Sequence, residues 1–129
     1  MQAHYVIIGA GSAGCVLAAR LSEDPSVSVI LLEAGGADTN PFIHIPAGFV
    51  KIMVNPSVNW MFSTASEDYL GGRSLKMPRG KVLGGTSSIN GMLYVRGLAS
   101  DYDSWAQRGN PGWSFDDVLP YFRKSEDFQ

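Results

Sequence analysis

The chain has 129 residues, 45% hydrophobic and 17% charged, an ordinary globular balance that excludes disordered, fibrous and collagen-like classes. Its net charge of −2 offers nothing to attract nucleic acid or an acidic membrane surface. No apolar run approaches the roughly 18 residues of a spanning helix.

The stretch "HYVIIGAGSAGCVLAARLSEDP" opens with a short, β-branched apolar run at 5–8, which predicts a buried strand. A glycine-rich turn follows, then small apolar residues through Leu21 that predict a helix stopped at Asp24-Pro25. "VSVILLE", residues 27–33, predicts a second buried strand ending in an acid, so the first 33 residues read as the start of a βαβ unit. Residues 35–60 carry three prolines and weak periodicity, which predicts loop with one short helix around 47–54. "WMFSTASED" and "RSLKMP", parted by Gly71-Gly72, predict a hairpin with an irregular turn. In the last third, Ser100 with Asp103 and Ser114 with Asp117 have capping-box spacing. They predict two helices, the first ended by Arg108-Gly109 and the second kinked or broken by Pro120. The fold class is therefore α/β: an incomplete doubly wound sheet with an attached hairpin and helices. A doubly wound sheet needs further strands beside its first two, so the chain is expected to be the beginning of a larger protein.

Gly9-Ala10-Gly11-Ser12-Ala13-Gly14 fits G-x-G-x-x-G between a predicted strand and helix. Gly9 permits the tight turn, Gly11 lets a pyrophosphate approach the backbone, and Gly14 lets helix and strand pack closely. Helix-start N–H groups then face the phosphates. Glu33 follows at a spacing where an acid accepts hydrogen bonds from ribose hydroxyls and disfavours a 2′-phosphate. The alternative is a plain turn beside a surface charge. The motif leaves NAD and FAD both open.

A second glycine-rich loop, "PRGKVLGGTSSING" at 78–91, places Thr86, Ser87 and Ser88 ahead of an apolar segment. Read as more than a surface turn, its hydroxyls and free N–H groups suit contacts to a phosphate or polar heterocycle. One such loop suffices for NAD, whereas FAD carries a further ring to cradle. The second loop therefore favours FAD over an NAD-dependent dehydrogenase. A non-catalytic nucleotide-binding fragment is the remaining alternative.

These residues carry a resemblance. "GKVLGGTSSINGMLYVRGLASDYD" resembles the first signature of the glucose–methanol–choline (GMC) oxidoreductases, without departure. "YVIIGAGSAGCVLAARLSED" and "LLEAGG" are similar to the N-terminus of that family. "WAQRGNPGWSFDDVLPYFRKSED" resembles its choline dehydrogenase and aliphatic alcohol dehydrogenase branch. The resemblance implies that residues 1–129 are the N-terminal part of a Rossmann-like FAD-binding domain. The larger flavoenzyme would oxidise an alcohol and pass electrons to an external acceptor, a quinone-type carrier or dioxygen. It implies that Gly9, Gly11, Ser12, Ala13 and Gly14 meet the FAD diphosphate, and that Glu33 and Ala34 lie at the ribose. Val82, Gly84 and Gly85 would touch the cofactor from the second loop, with Asn90, Gly91, Met92 and Leu93 beside the flavin ring. Choline-oxidase-type members bond a histidine covalently to flavin just before that asparagine. Here the position is Ile89, so non-covalent FAD is expected. No catalytic residue is expected within this segment.

Other residues have plainer readings. His4 and His44 are expected to be structural, and Trp60, Trp105 and Trp113 to pack. The lone Cys15, which excludes an internal disulfide, is expected to be a buried, inert thiol. Asp101, Asp103, Asp116 and Asp117 are assigned to helix starts, and no residue set has metal-ligand spacing. Without a basic leader, the expected location is cytoplasmic, with peripheral membrane association allowed.

Overall fold

The structure is a computed structural model that describes residues 2–126. The chain forms two compact units, Met1–Leu93 and Tyr94–Gln129.

In the first unit, β1 (Tyr5–Ile8) and β2 (Val29–Leu32) pair in parallel, Tyr5 opposite Val29 and Ile8 opposite Leu32. Parallel neighbours need a crossover, supplied by α1 (Ser12–Leu21). The helix ends at Leu21, capped at Ser22; beyond it the Asp24 carboxylate accepts the Ser26 N–H and hydroxyl at 2.9 and 2.7 Å in a local turn that competes with helix. Those bonds hold the Asp24 carboxyl below its ordinary range. His4 Nδ1 accepts the Ser28 N–H at 3.0 Å, a structural role at the mouth of the two-stranded sheet. His44 Nε2 lies 2.7 Å from the Asp38 carbonyl, also a local tie.

The proline-rich stretch becomes two 3-10 turns, Pro41–Ile43 and Pro46–Gly48, leading into the one-turn helix α2 (Phe49–Ile52). The hairpin is β3 (Phe62–Ser63) against β4 (Lys76–Met77), antiparallel, with a third 3-10 turn at Asp68–Leu70 in its loop. Its base continues as an Asn59–Gly80 bridge.

The buried core is not where the apolar strands predict it. Ile52, Val58, Val82 and Ile89 form it, gathered from α2, the hairpin base and the second glycine loop. The strands expected to be buried are largely exposed instead, Ile8 to 87%. One short helix covers too little of a two-stranded sheet to bury it. Cys15 is likewise exposed rather than buried, its thiol 3.4 Å from the Ala10 carbonyl.

The second unit is a pair of helices, α3 (Ala99–Gln107) and α4 (Phe115–Ser125). Tyr102 lies between them, with ring centroids 6.0 Å from Phe115 and 5.7 Å from Phe122. Trp105 and Trp113 pack edge to face at 5.8 Å while staying half exposed. Ser114 and Asp117 form the expected capping box. Ser100 does not cap α3: it lies inside the helix, and Asp101 accepts the Leu98 N–H at 2.9 Å. Asp103 reaches across to accept the Phe115 N–H at 3.0 Å. Pro120 does not break α4, which continues through Ser125. One missing ladder bond is outweighed by the capped start and the aromatic contacts.

Among the described residues, no helix is long and apolar enough to cross a membrane. Nor does any group of three or more His, Cys, Asp or Glu among those residues have the arrangement to hold a metal ion.

Candidate functional site

Gly9 ends β1 by donating its N–H to the Leu32 carbonyl at 2.7 Å, which ties the first loop to β2. A Cβ on Gly14 would sit 1.9 Å from the Gly9 carbonyl oxygen, so only glycine lets α1 approach the turn this closely. Gly11 differs. Its backbone, φ −84° and ψ −170°, suits any residue, and a Cβ there would meet only Gly85 Cα, at 3.9 Å. Nothing in the chain demands glycine at 11; a group pressed against that backbone from outside would. Ser12, Ala13 and Gly14 form the first turn of α1, where N–H groups precede the helical ladder and point outward at the positive end of the dipole.

Glu33 is bound to the loop itself. One carboxylate oxygen accepts the Ala10 N–H and the other the Gly35 N–H, both at 2.8 Å. Each oxygen keeps acceptor capacity and the side chain is half-buried, so the carboxylate can accept a ribose hydroxyl while it braces the turn. Ala34 beside it is exposed.

The second loop packs directly on the first. Gly84 donates to the Ala10 carbonyl at 2.8 Å and Leu83 to the Gly36 carbonyl at 2.9 Å. Gly84 and Gly85 have left-handed backbones, φ +87° and +60°, and a Cβ on Gly85 would lie 2.8 Å from Gly11 Cα. Val82 is 0% exposed, its side chain in the core, so it supports the loop from beneath. The three hydroxyls each make one bond within the loop. Thr86 accepts the Gly80 N–H at 3.1 Å, Ser87 donates to Gly84 at 2.6 Å, and Ser88 to Leu83 at 2.7 Å. They shape their own loop, because a tight turn leaves backbone groups that nearby hydroxyls satisfy.

Together the loops wall a cleft of about 540 Å³. Gly9, Gly11, Glu33 and Ala34 line one side, Gly85 and Thr86 another. Trp60, Arg79 and Gly80 from the hairpin base complete it. Sequence reading missed Trp60 and Arg79 as site residues; the arginine just before Gly80 was the available signal, a cation beside a loop suited to phosphate. Asn90, Gly91, Met92 and Leu93 do not line this cleft. They form an exposed segment in which Asn90 Oδ1 accepts the Met92 N–H at 2.9 Å and Met92 is left-handed, φ +55°. A larger open hollow of about 840 Å³, walled in part by Pro41, Lys51 and Val82, contains none of the loop glycines.

Residues 3–128 match the GMC oxidoreductase family model. The chain belongs to the GMC oxidoreductase family. An oxygen-dependent choline dehydrogenase of Brucella anthropi is 56% identical over 126 residues, 98% of this chain and 23% of that protein. Among solved structures, pyridoxine 4-oxidase from Mesorbium loti superposes with a TM-score of 0.88 at 40% identity, covering 94% of this chain and 24% of that one. An FAD-dependent oxidoreductase from Chaetomium thermophilum gives 0.84 at 38% identity, covering 99% and 22%. The chain thus spans less than a quarter of the length of the curated relatives it matches. As in these GMC structures, its fold is mixed helix and strand, an N-terminal Rossmann-like fragment.

Proposed function

We propose that residues 1–129 are the FAD-binding N-terminal segment of a GMC flavoenzyme that oxidises an alcohol, choline-like or aliphatic, to the aldehyde. The observation that carries this reading is Gly11, a glycine that the chain's own packing does not require, on the wall of a cleft built from two interlocked glycine loops. A diphosphate needs such backbone approach together with a helix N-terminus. Family membership favours FAD over NAD and an enzyme over a non-catalytic binder.

Gly9, Gly11, Ser12, Ala13 and Gly14 would hold the diphosphate, Glu33 and Ala34 the ribose, and Gly84 and Gly85 the closing wall. Val82 supports that wall from below. Asn90 to Leu93 would run toward the flavin ring. FAD, when bound, supplies the two-electron acceptor for alcohol oxidation. The chain's part is to bind and orient it; the group that removes the alcohol proton is assigned outside residues 1–129. The electrons would pass to a quinone-type carrier or dioxygen, in a cytoplasmic enzyme. FAD is held without a covalent bond, because Ile89 has no nucleophilic atom and its side chain is 2% exposed, inside the core.

Purified full-length protein tests this directly. FAD should co-purify, pass wholly into the supernatant on acid precipitation, and lose its yellow absorbance when an alcohol is added without air. Protein that binds NAD but no flavin overturns the reading, and yellow colour left in the acid pellet overturns the non-covalent assignment.

A further inference from the structure

Among the described residues Asn59 is the one buried polar side chain, 3% exposed, and both heteroatoms of its amide are bonded. Its Oδ1 accepts the Met61 N–H at 2.9 Å and the Arg79 N–H at 3.1 Å, while Nδ2 donates to the Met53 carbonyl. One side chain thereby joins its own turn at Met53 and Met61 to Arg79, 20 residues away. Two accepted N–H groups and one donated hydrogen also fix which end of the amide is oxygen.

The consequence reaches the cleft. Met61 is left-handed, φ +56°, a conformation uncommon outside glycine, and its N–H is held there by Asn59 Oδ1. That turn sets the backbone on which Trp60 is presented. Across the ladder, Trp60 donates its N–H to the Arg79 carbonyl at 2.9 Å, and Arg79 has its own N–H on Asn59. Trp60 and Arg79 both line the cleft that holds Gly11 and Glu33, whereas Asn59 does not.

We propose that Asn59 is a positioning residue for cofactor binding: its buried amide fixes the backbone that brings Trp60 and Arg79 to the wall of the dinucleotide cleft. This rests on the FAD reading above. The Trp60 ring stacks on Phe62 at 5.7 Å with Lys81 Nζ 4.8 Å from its centroid. One Arg79 NH group donates to the Pro78 carbonyl at 2.7 Å; the remaining guanidinium N–H groups and their charge suit a diphosphate.

The test is a cycle of FAD dissociation constants in full-length protein stripped of flavin and titrated with FAD. Asn59→Ala should raise the constant about tenfold. In a Trp60→Ala/Arg79→Ala background the same change should add no more than about twofold, because the groups it positions are gone. A merely structural amide would weaken binding by the same factor in both backgrounds, and that result overturns the proposal. So does FAD affinity in Asn59→Ala equal to wild type. If Asn59→Ala fails to fold, Asn59→Gln carries the same cycle, since it keeps the amide but moves its oxygen outward by a methylene. Wild-type protein that binds no FAD overturns the functional reading itself, an outcome distinct from unaffected binding in the Asn59 variants.

Discussion

A methyl group added at Gly14 would lie 1.9 Å from the Gly9 carbonyl oxygen, whereas one added at Gly11 would find Gly85 Cα at 3.9 Å and nothing nearer. The same substitution at two positions of one motif should therefore fail in different ways. Gly14→Ala forces apart the turn and α1, a cost of about 1–3 kcal/mol, and should lower Tm with FAD present or absent. Gly11→Ala should leave the stability of flavin-free protein within about 0.5 kcal/mol while weakening FAD at least about tenfold. Thermal melts of stripped protein and FAD titrations, run side by side, check both; equal melting losses would erase the distinction. Glu33 shows the limit of reading a residue from its spacing. The spacing of the acid just past β2 carries the proposal that it accepts a ribose hydroxyl. Its two bonds to Ala10 and Gly35 were not legible from that spacing, because they depend on where the loop returns. Glu33→Ala should lower FAD affinity by roughly 1.5–3 kcal/mol and also lower the Tm of stripped protein. An unchanged Tm would remove the bracing role.

At the scale of elements, strands, crossover helix, hairpin and both C-terminal helices were legible from periodicity and turn residues. Their ends were less so. The pattern at Ser100 and Asp103 satisfies the capping-box spacing, yet α3 starts two residues earlier with Asp101 on the Leu98 N–H. Asp103 is drawn instead to the Phe115 N–H at the start of α4. Local pattern could not choose between the acids, since the choice depends on a partner 12 residues away. Asp101→Ala should accordingly cost about 0.5–1 kcal/mol in urea unfolding, and Ser100→Ala less than about 0.5 kcal/mol. The reverse order would restore the sequence-based cap.

At the scale of the whole molecule, the distribution of apolar surface matters most. Val6, Ile8 and Leu32 on the sheet, with Val16 and Leu17 on α1, stay at least half exposed, while the core is four side chains around the second loop. Residues 1–129 expressed alone should therefore bind a hydrophobic dye such as ANS, melt without a sharp transition and lose FAD on desalting. Burial at about 25 cal/mol per Å² is missing over those faces, and stability is marginal to begin with. A cooperative melt with retained flavin would show that this surface needs no cover. What the sequence determined by itself was the βαβ start, the glycine-rich turn between β1 and α1, and the family, because glycine spacing and strand-to-helix periodicity are local and survive without partners. Tertiary structure decided where the core lies, what the hydroxyls of the second loop bind, and that Trp60 and Arg79 join Gly11 and Glu33 at one cleft. Those outcomes depend on which distant backbone groups arrive with unsatisfied hydrogen bonds, a quantity no stretch of residues carries alone.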